Sequence, residues 1–261
     1  MPAETNPLPI LISVPHAGTA IPPALQALMQ PHIIRDVPDT DWFVKEVYGF
    51  APKMGIAVVA ANYSRYVIDL NRSLQQTALY DDGRAVTGLF PEQTFAGEPI
   101  YRDTAPGEAE KLAYIEQIYR PYQQTLIDKL QHLQQQFPQV LLFDAHSIKR
   151  HVPRIYPDPI PDLILGDNGG RAAAPELTQT ALTSLHASPY VVSHNHPFQG
   201  GAITRELAQP VQGRHVLQLE MAQDIYMDET QIHLLEDKLT PLQHQLRALL
   251  QGLADHLGTL R

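Results

Sequence analysis

The stretch LLFDAHSIKR, residues 141–150, decides how the rest of the chain is read. Leu141, Leu142 and Phe143, with Val140 just before them, run directly into Asp144, Ala145, His146 and Ser147. A short continuous apolar run bounded by polar residues is the pattern of a strand buried on both faces. In a largely parallel sheet, ligands collect at the carboxyl ends of such strands. His146 is therefore either a core histidine with a satisfied hydrogen bond or a group placed at the sheet edge for chemistry.

Working outward, PILISVP (9–15), GIAVVAA (55–61), RYVIDL (65–70), VLLFDA (140–145), YVVSHN (190–195) and HVLQLEM (215–221) read as strands. Between them lie helical patterns. DTDWFVKEVYGFA (39–51) starts with capping candidates Asp39, Thr40 and Asp41. Residues 107–137 read as one long amphipathic helix or two, with a kink expected at Pro121. Residues 171–187 and 230–258 supply two more helices. Residues 73–107, with DDG and APG, read as a long functional loop. Alternating strands and helices predict a three-layer α/β/α fold around a mostly parallel mixed sheet. One domain spanning 1–261 is expected, because 261 residues at 44% hydrophobic content fill one sizeable core.

Composition removes several function classes. No cysteine is present, so disulfides, thiolate catalysis and Cys-based metal sites are excluded. A net charge of −9 argues against nucleic acid or an anionic membrane as partner. No signal-peptide pattern and no run of roughly 20 apolar residues stands in the sequence, which points to a cytoplasmic protein.

Three of the expected strands carry metal-competent groups at or near their ends. SVPHAG gives His16, FDAHS gives His146, and LQLEM places Glu220 within apolar surroundings. Asp41 stands at the start of the first helix, with Asp39 competing for either role. Two histidines and a carboxylate suit a catalytic zinc that keeps one position open for water. Such a water ionises near neutral pH and can attack a carbonyl. A further carboxylate must carry its proton, and a buried Glu220 with a raised pKa suits that task. Asp144 is either a hydrogen-bond partner of a ligand histidine or a turn residue. His194 and His196 in SHNHPFQGG are an alternative metal pair, or plain loop residues.

A second group is cationic. SRYVIDLNR sets Arg65 before a strand and Asn71-Arg72 after it. A planar guanidinium binds a carboxylate bidentately, and a chain at −9 needs such local cations to hold an anion. The plainer reading of Arg72 is an ion pair with Asp69. FQGGAITR (198–205) offers Gly200 and Gly201 for close backbone approach, followed by Thr204 and Arg205; a tight turn explains the glycines equally.

Taken in order, SVPHAGTAIP (13–22), DTDW (39–42), SRYVIDLNR (64–72), TGLFPEQTFAGEPIY (87–101), LFDAHSI (142–148), GGAITR (200–205) and LQLEMAQDIYMDE (217–229) resemble the N-formylglutamate amidohydrolase (deformylase) family over nearly the whole chain. The resemblance implies hydrolysis of N-formyl-L-glutamate to formate and L-glutamate, the last step of one route of histidine degradation. It also implies a fold similar to the zinc carboxypeptidases and zinc amidases, phosphorylase/hydrolase-like in class. By that likeness zinc, or another divalent metal, is held by His16, a carboxylate and His146, with Glu220 as general base. Carboxypeptidases place a glutamate three residues after the first histidine, where this chain has Thr19. Zinc amidases take the carboxylate from the start of the next helix, which selects Asp41. Arg65 then assists the oxyanion, Asn71 and Arg72 hold one substrate carboxylate, and Arg205 or the Gly200-Gly201 backbone meets the other. The expected partner is a small molecule, bound by a monomer or small homo-oligomer. Two other readings are a zinc amidase on another N-acyl amino acid or peptide, and a non-catalytic module that binds acidic amino acids.

Overall fold

The computed structural model describes residues 6–75 and 87–260. The eleven-residue stretch containing DDG thus falls outside the described residues, and the expected 73–107 loop is seen only on either side of it. Six strands form the main sheet: β1 (Ile10–Val14), β2 (Ala57–Ala60), β3 (Val140–Ile148), β4 (Leu163–Gly166), β5 (Val192–His194) and β6 (Arg214–Ala222). Their order is β2-β1-β3-β6-β4-β5. Neighbours pair in parallel except β4 with β6, which are antiparallel, so the sheet is mixed and mostly parallel. Two short strands, β7 (Met227–Asp228) and β8 (His233–Leu234), make a separate hairpin.

Helices cover both faces. They are α1 (Pro23–Gln26), α2 (Pro31–Asp36), α3 (Val44–Val47), α4 (Glu108–Tyr114), α5 (Arg120–Gln134), α6 (Pro175–His186), α7 (Ala202–Leu207) and α8 (Glu236–Leu257). Side chains alternate between sheet faces with a period of two. Ile10, Ile12 and Val14, then Leu141, Phe143 and Ala145, then Leu217, Leu219 and Met221 join one core with Leu177, Ala181 and Leu185 of α6 and Leu246, Leu249 and Leu253 of α8. Leu11, Val140, Leu142 and Val216 face the other way, against Leu126, Leu130 and Leu133 of α5.

Several expectations are corrected by the structure. β3 does not stop at Ala145 but runs to Ile148, buried throughout, so Asp144 and His146 lie within the strand. RYVIDL is not a strand. Its backbone turns, with the Val67 N–H bonded to Ser64 O and the Asp69 N–H bonded to Leu89 O. The Asp69 carboxylate accepts the Asn71 N–H at 2.9 Å, an Asx-type local bond that competes with a sheet ladder. The expected helix at 39–51 shortens to α3, because Phe43 sits at φ 60° and the Asp41 carboxylate accepts the Ser147 N–H instead of capping. β4 is an addition to that reading, since three apolar residues and a glycine after Pro161 give little periodic signal. Near Pro121 the long helical stretch is locally widened. Residues Ile115–Tyr119 are π-helical, which accommodates the missing N–H of a proline in the first turn of α5. Among the described residues, no helix is long and apolar enough to cross a membrane.

The turn after β1 depends on Gly18. A Cβ there would lie 2.3 Å from Tyr63 O and 2.5 Å from Asn62 C, both backbone. Gly18→Ala is expected to cost about 1–3 kcal/mol through overpacking, lowering Tm by several degrees. Gly252, inside α8, has nothing within 4 Å of its would-be Cβ. Gly252→Ala should therefore hold or raise Tm, by up to about 1 kcal/mol of stability. Thermal unfolding of the two variants side by side checks both signs.

Candidate active site

On the α5 side of the sheet, the apolar rows give way to polar groups at the carboxyl halves of three adjacent strands. Register pairs Ser13 of β1 with Asp144 of β3. It pairs Asp144 with Gln218 and His146 with Glu220 across β3 and β6. Each pair shares a face, so Ser13, Asp144, His146, Gln218 and Glu220 form one strip. His16 enters from the turn after β1. Asp41 enters from the segment before α3, fixed by its own N–H bonded to His16 O at 3.1 Å and by its Oδ2 accepting the Ser147 N–H at 3.1 Å.

Both imidazoles present Nδ1 to the same carboxylate oxygen. Asp41 Oδ2 lies 3.0 Å from His146 Nδ1 and 3.8 Å from His16 Nδ1. Each Nε2 turns outward to another carboxylate: His16 to Asp69 Oδ1 at 2.7 Å, His146 to Asp144 Oδ2 at 3.0 Å. With Nε2–H donating to an outer carboxylate, the neutral ring keeps its Nδ1 lone pair for a metal, the usual carboxylate–histidine–metal arrangement. His16, Asp41 and His146 each offer a ligand atom within 4.8 Å of the others, and all three are buried. Among the described residues, this donor set fits a divalent metal such as zinc. Asp39 lies outside it, with its carboxylate accepting the Phe95 N–H at 2.8 Å.

Charge in the site is strongly coupled. Burial lowers the His16 pKa, Arg65 lowers it further, and Asp69 and Asp41 only partly oppose. Burial also works against a charged His146, but Asp144 and Asp41 outweigh it and hold that imidazole well above the usual range. Burial pushes the Glu220 carboxyl up to about 8, with His146 and Arg65 opposing and Asp41 and Asp144 reinforcing. For Asp69, burial is overcome by His16, Arg65 and Arg72, which hold it well below the usual carboxylate range. Asp69 Oδ2 accepts from Arg65 at 2.6 Å, while Arg72 stands 4.0 Å away. The Asp69 side chain therefore braces His16 and Arg65 first, and Arg72 only weakly.

A cleft of about 90 Å³ opens over this cluster. Its wall includes His16, Asp41, Arg65, Asn71, Arg72, His146, Gly200, Gly201 and Glu220, which the sequence singled out. Asn71 is fully engaged: its Nδ2 donates to Asp144 Oδ2 at 3.0 Å and its Oδ1 accepts the Ile203 N–H at 2.8 Å. It also sits 2.9 Å from His146 Nε2, sharing with that ring the Asp144 carboxylate. A Cβ on Gly201 would lie 2.5 Å from the Asn71 amide, and this close approach requires the glycine. Arg72 points its Nε to Thr87 O at 2.7 Å and one terminal nitrogen to Thr87 Oγ1 at 2.9 Å. Thr204 and Arg205 are not on the cleft wall. Thr204 packs under Gly200, and Arg205 Nε donates to Gly200 O at 3.1 Å. His194 lies 3.1 Å from Asp167, and His196 2.9 Å from the Tyr156 hydroxyl, both apart from the cluster. Sequence reading missed Asp69 as a brace for His16, and Gln218, whose Oε1 accepts the Gly201 N–H at 2.9 Å. It also missed Phe95 and Phe198 on the cleft wall.

Fold and cleft together define an α/β protein with an imidazole–carboxylate centre at the carboxyl ends of its parallel strands. The N-formylglutamate amidohydrolase family profile matches residues 8–227. The N-formylglutamate deformylase of Pseudomonas putida is 43% identical over 250 residues, covering 94% of this chain and 92% of that protein. The N-formylglutamate deformylase of Pseudomonas aeruginosa is 42% identical over 225 residues, covering 85% and 83%. The crystal structure of N-formylglutamate amidohydrolase from Ralstonia eutropha JMP134 superposes with a TM-score of 0.84 at 28% identity, covering 97% and 95%. This chain belongs to the N-formylglutamate amidohydrolase family.

The opposite shifts of the two histidines are measurable. In metal-free protein, His16 should titrate below the ordinary histidine range and His146 above it. A raised folded pKa makes the His146 contribution to stability complete below the unfolded value near 6.5 and lost as pH rises through the folded value. The lowered His16 pKa acts in the other direction, its contribution being lost as pH falls through the folded value. Imidazole NMR titration should resolve two separate transitions, and coincident transitions near 6.5 would contradict this electrostatic picture.

Proposed function

We propose that this protein hydrolyses N-formyl-L-glutamate to formate and L-glutamate, with a divalent metal, zinc first, held by His16, Asp41 and His146. The observation that carries the reading is the convergence of this donor set with Glu220 and two arginines on one cleft, in a chain of the deformylase family. The donor chemistry supports the metal: three buried ligand atoms, two of them imidazole nitrogens on rings held by outer carboxylates, converge on one point.

A metal in this position would supply Lewis acidity and a water acidic near neutral pH. The residues of the chain do the rest. Glu220, beside His146 on the neighbouring strand, takes a proton from the attacking water and returns it to the departing glutamate nitrogen. Burial favours the protonated form of its carboxyl, which suits a group that must hold a proton between the two steps. Asp69 and Asp144 hold the imidazole rings in the tautomer that leaves Nδ1 available. Arg65, locked by Asp69, faces the cleft as a fixed positive charge for a developing oxyanion. Arg72 beside Thr87 receives one substrate carboxylate, and the side-chain-free wall at Gly200 and Gly201 leaves room for the other. Asn71, on the cleft wall, donates to the Asp144 carboxylate that orients His146 and stands beside the bound carboxylate. The products would place the enzyme in histidine degradation.

Purified protein should release formate and glutamate in equal amounts from N-formyl-L-glutamate, lose this activity on chelation, and recover it on return of zinc. Activity indifferent to thorough chelation would remove the metal from the account. Glu220→Gln should lower kcat by about 10²–10⁴-fold with little change in KM, as for loss of a general base. Retained turnover would take Glu220 out of that role.

A further inference from the structure

Next to the cleft lies a second cavity of about 300 Å³, lined among others by Asp39, Thr40, Lys149, His151 and Val152. The two cavities share three residues, Phe95, Ser147 and Ile148. Ser147 and Ile148 are fixed by the sheet: they end β3, and the Ser147 N–H is bonded to Asp41 Oδ2. Phe95 is different. It comes from a loop, and its aromatic ring is the largest side chain of the three.

Separate contacts hold that ring in place. The Phe95 N–H donates to the Asp39 carboxylate at 2.8 Å. The loop around it is a closed turn, with Thr94 N–H bonded to Glu98 O and Gly97 N–H bonded to Thr94 O, both at 2.9 Å. The Arg65 guanidinium lies 4.6 Å from the ring centroid, within cation–π range. Phe95 also packs against the apolar cluster of Ile148, Val152, Ile160, Ile164 and Phe198. A side chain so restrained makes a wall.

The position of that wall relative to the chemistry follows from the cations. Arg65 and Arg72 line the cleft and not the second cavity. The border with the second cavity is Phe95, Ile148 and the residue next to His146. Arg65, proposed for the oxyanion at the acyl carbon, lies against the Phe95 ring, while Arg72 is bonded to Thr87, so the carboxylate-bearing half of a substrate belongs on the Arg72 side and its acyl group on the Arg65–Phe95 side.

We propose that Phe95 is the residue that limits the acyl group, and that the cavity behind it is the space a longer acyl chain would occupy. The inference rests on the proposed deformylase reading for its substrate class. It makes Phe95 a specificity-determining residue: formyl fits in front of the ring, while acetyl and butyryl collide with it. One methylene in an apolar pocket changes selectivity by about 10–200-fold.

The test compares N-formyl-, N-acetyl- and N-butyryl-L-glutamate on wild type, Phe95→Leu and Phe95→Ala, with Tm measured for each. The ratio of acetyl to formyl kcat/KM should rise at least about tenfold in Phe95→Ala, with Phe95→Leu between, and butyryl turnover should appear only in Phe95→Ala. Calorimetry should show N-butyryl-L-glutamate binding to Phe95→Ala and not to wild type, a readout independent of turnover. If both folded variants keep the wild-type ratio and neither binds the butyryl compound, Phe95 is not the limiting wall. Wild type inactive on N-formyl-L-glutamate would defeat the deformylase reading instead, and the binding comparison would still decide the role of Phe95.

Discussion

The two-residue period of β3 governs which side chains of the site can meet. Asp144 and His146 are two apart, so they share a face, while Phe143 and Ala145 belong to the core beneath α6 and α8. Parallel pairing then brings Ser13 beside Asp144 on one flank, and Gln218 and Glu220 beside Asp144 and His146 on the other. A one-residue slip in either register would send these polar groups into the apolar core and the core residues into the cleft. Both faces of β3 are covered, so that slip is costly, and the register is held by the same burial that stabilises the fold.

Burying so many ionisable groups is tolerable only because they are paired. An uncompensated charge in this environment would cost several kcal/mol. Asp69 meets His16, Arg65 and the Asn71 N–H; Asp144 meets His146, Asn71 and the Ser13 hydroxyl, which donates at 2.9 Å. Ser13 in turn lies 3.0 Å from the Tyr122 hydroxyl on α5, which ties the polar strip to the helix packed over the same face. The carboxylates that brace the histidines thus join the fold to the chemistry. A change at Asp144 would disturb packing and the proton position on His146 together.

The parts of the site written as local patterns were legible in the sequence. Apolar runs ending at His16 and His146, and an acid inside LQLEM, are visible without knowing the register, and the structure sets those residues around one cleft. The mostly parallel sheet with helices on both faces was legible for the same reason, through period and alternation. What was not legible depended on partners distant in sequence. Whether 65–70 forms a strand was decided by Asp69, whose carboxylate binds a backbone N–H two residues on and an imidazole 53 positions back. The role of Gln218 needed the β3–β6 register, and β4 was too short to show a period. Thr204 and Arg205 looked like ligand groups because glycines precede them. The structure gives those glycines another reason, since Gly201 makes room for the Asn71 amide.

Three inward-facing atoms define the proposed metal position: His16 Nδ1, Asp41 Oδ2 and His146 Nδ1. Anomalous scattering at the zinc edge, from crystals of zinc-loaded protein, tests it most directly. The expected result is a single strong peak bounded by those three atoms, with Asp69 and Asp144 still hydrogen-bonded to the outer Nε2 atoms. A peak on the Nε2 side, at Asp39, or at His194 and His196, with the inner cluster empty, would contradict it.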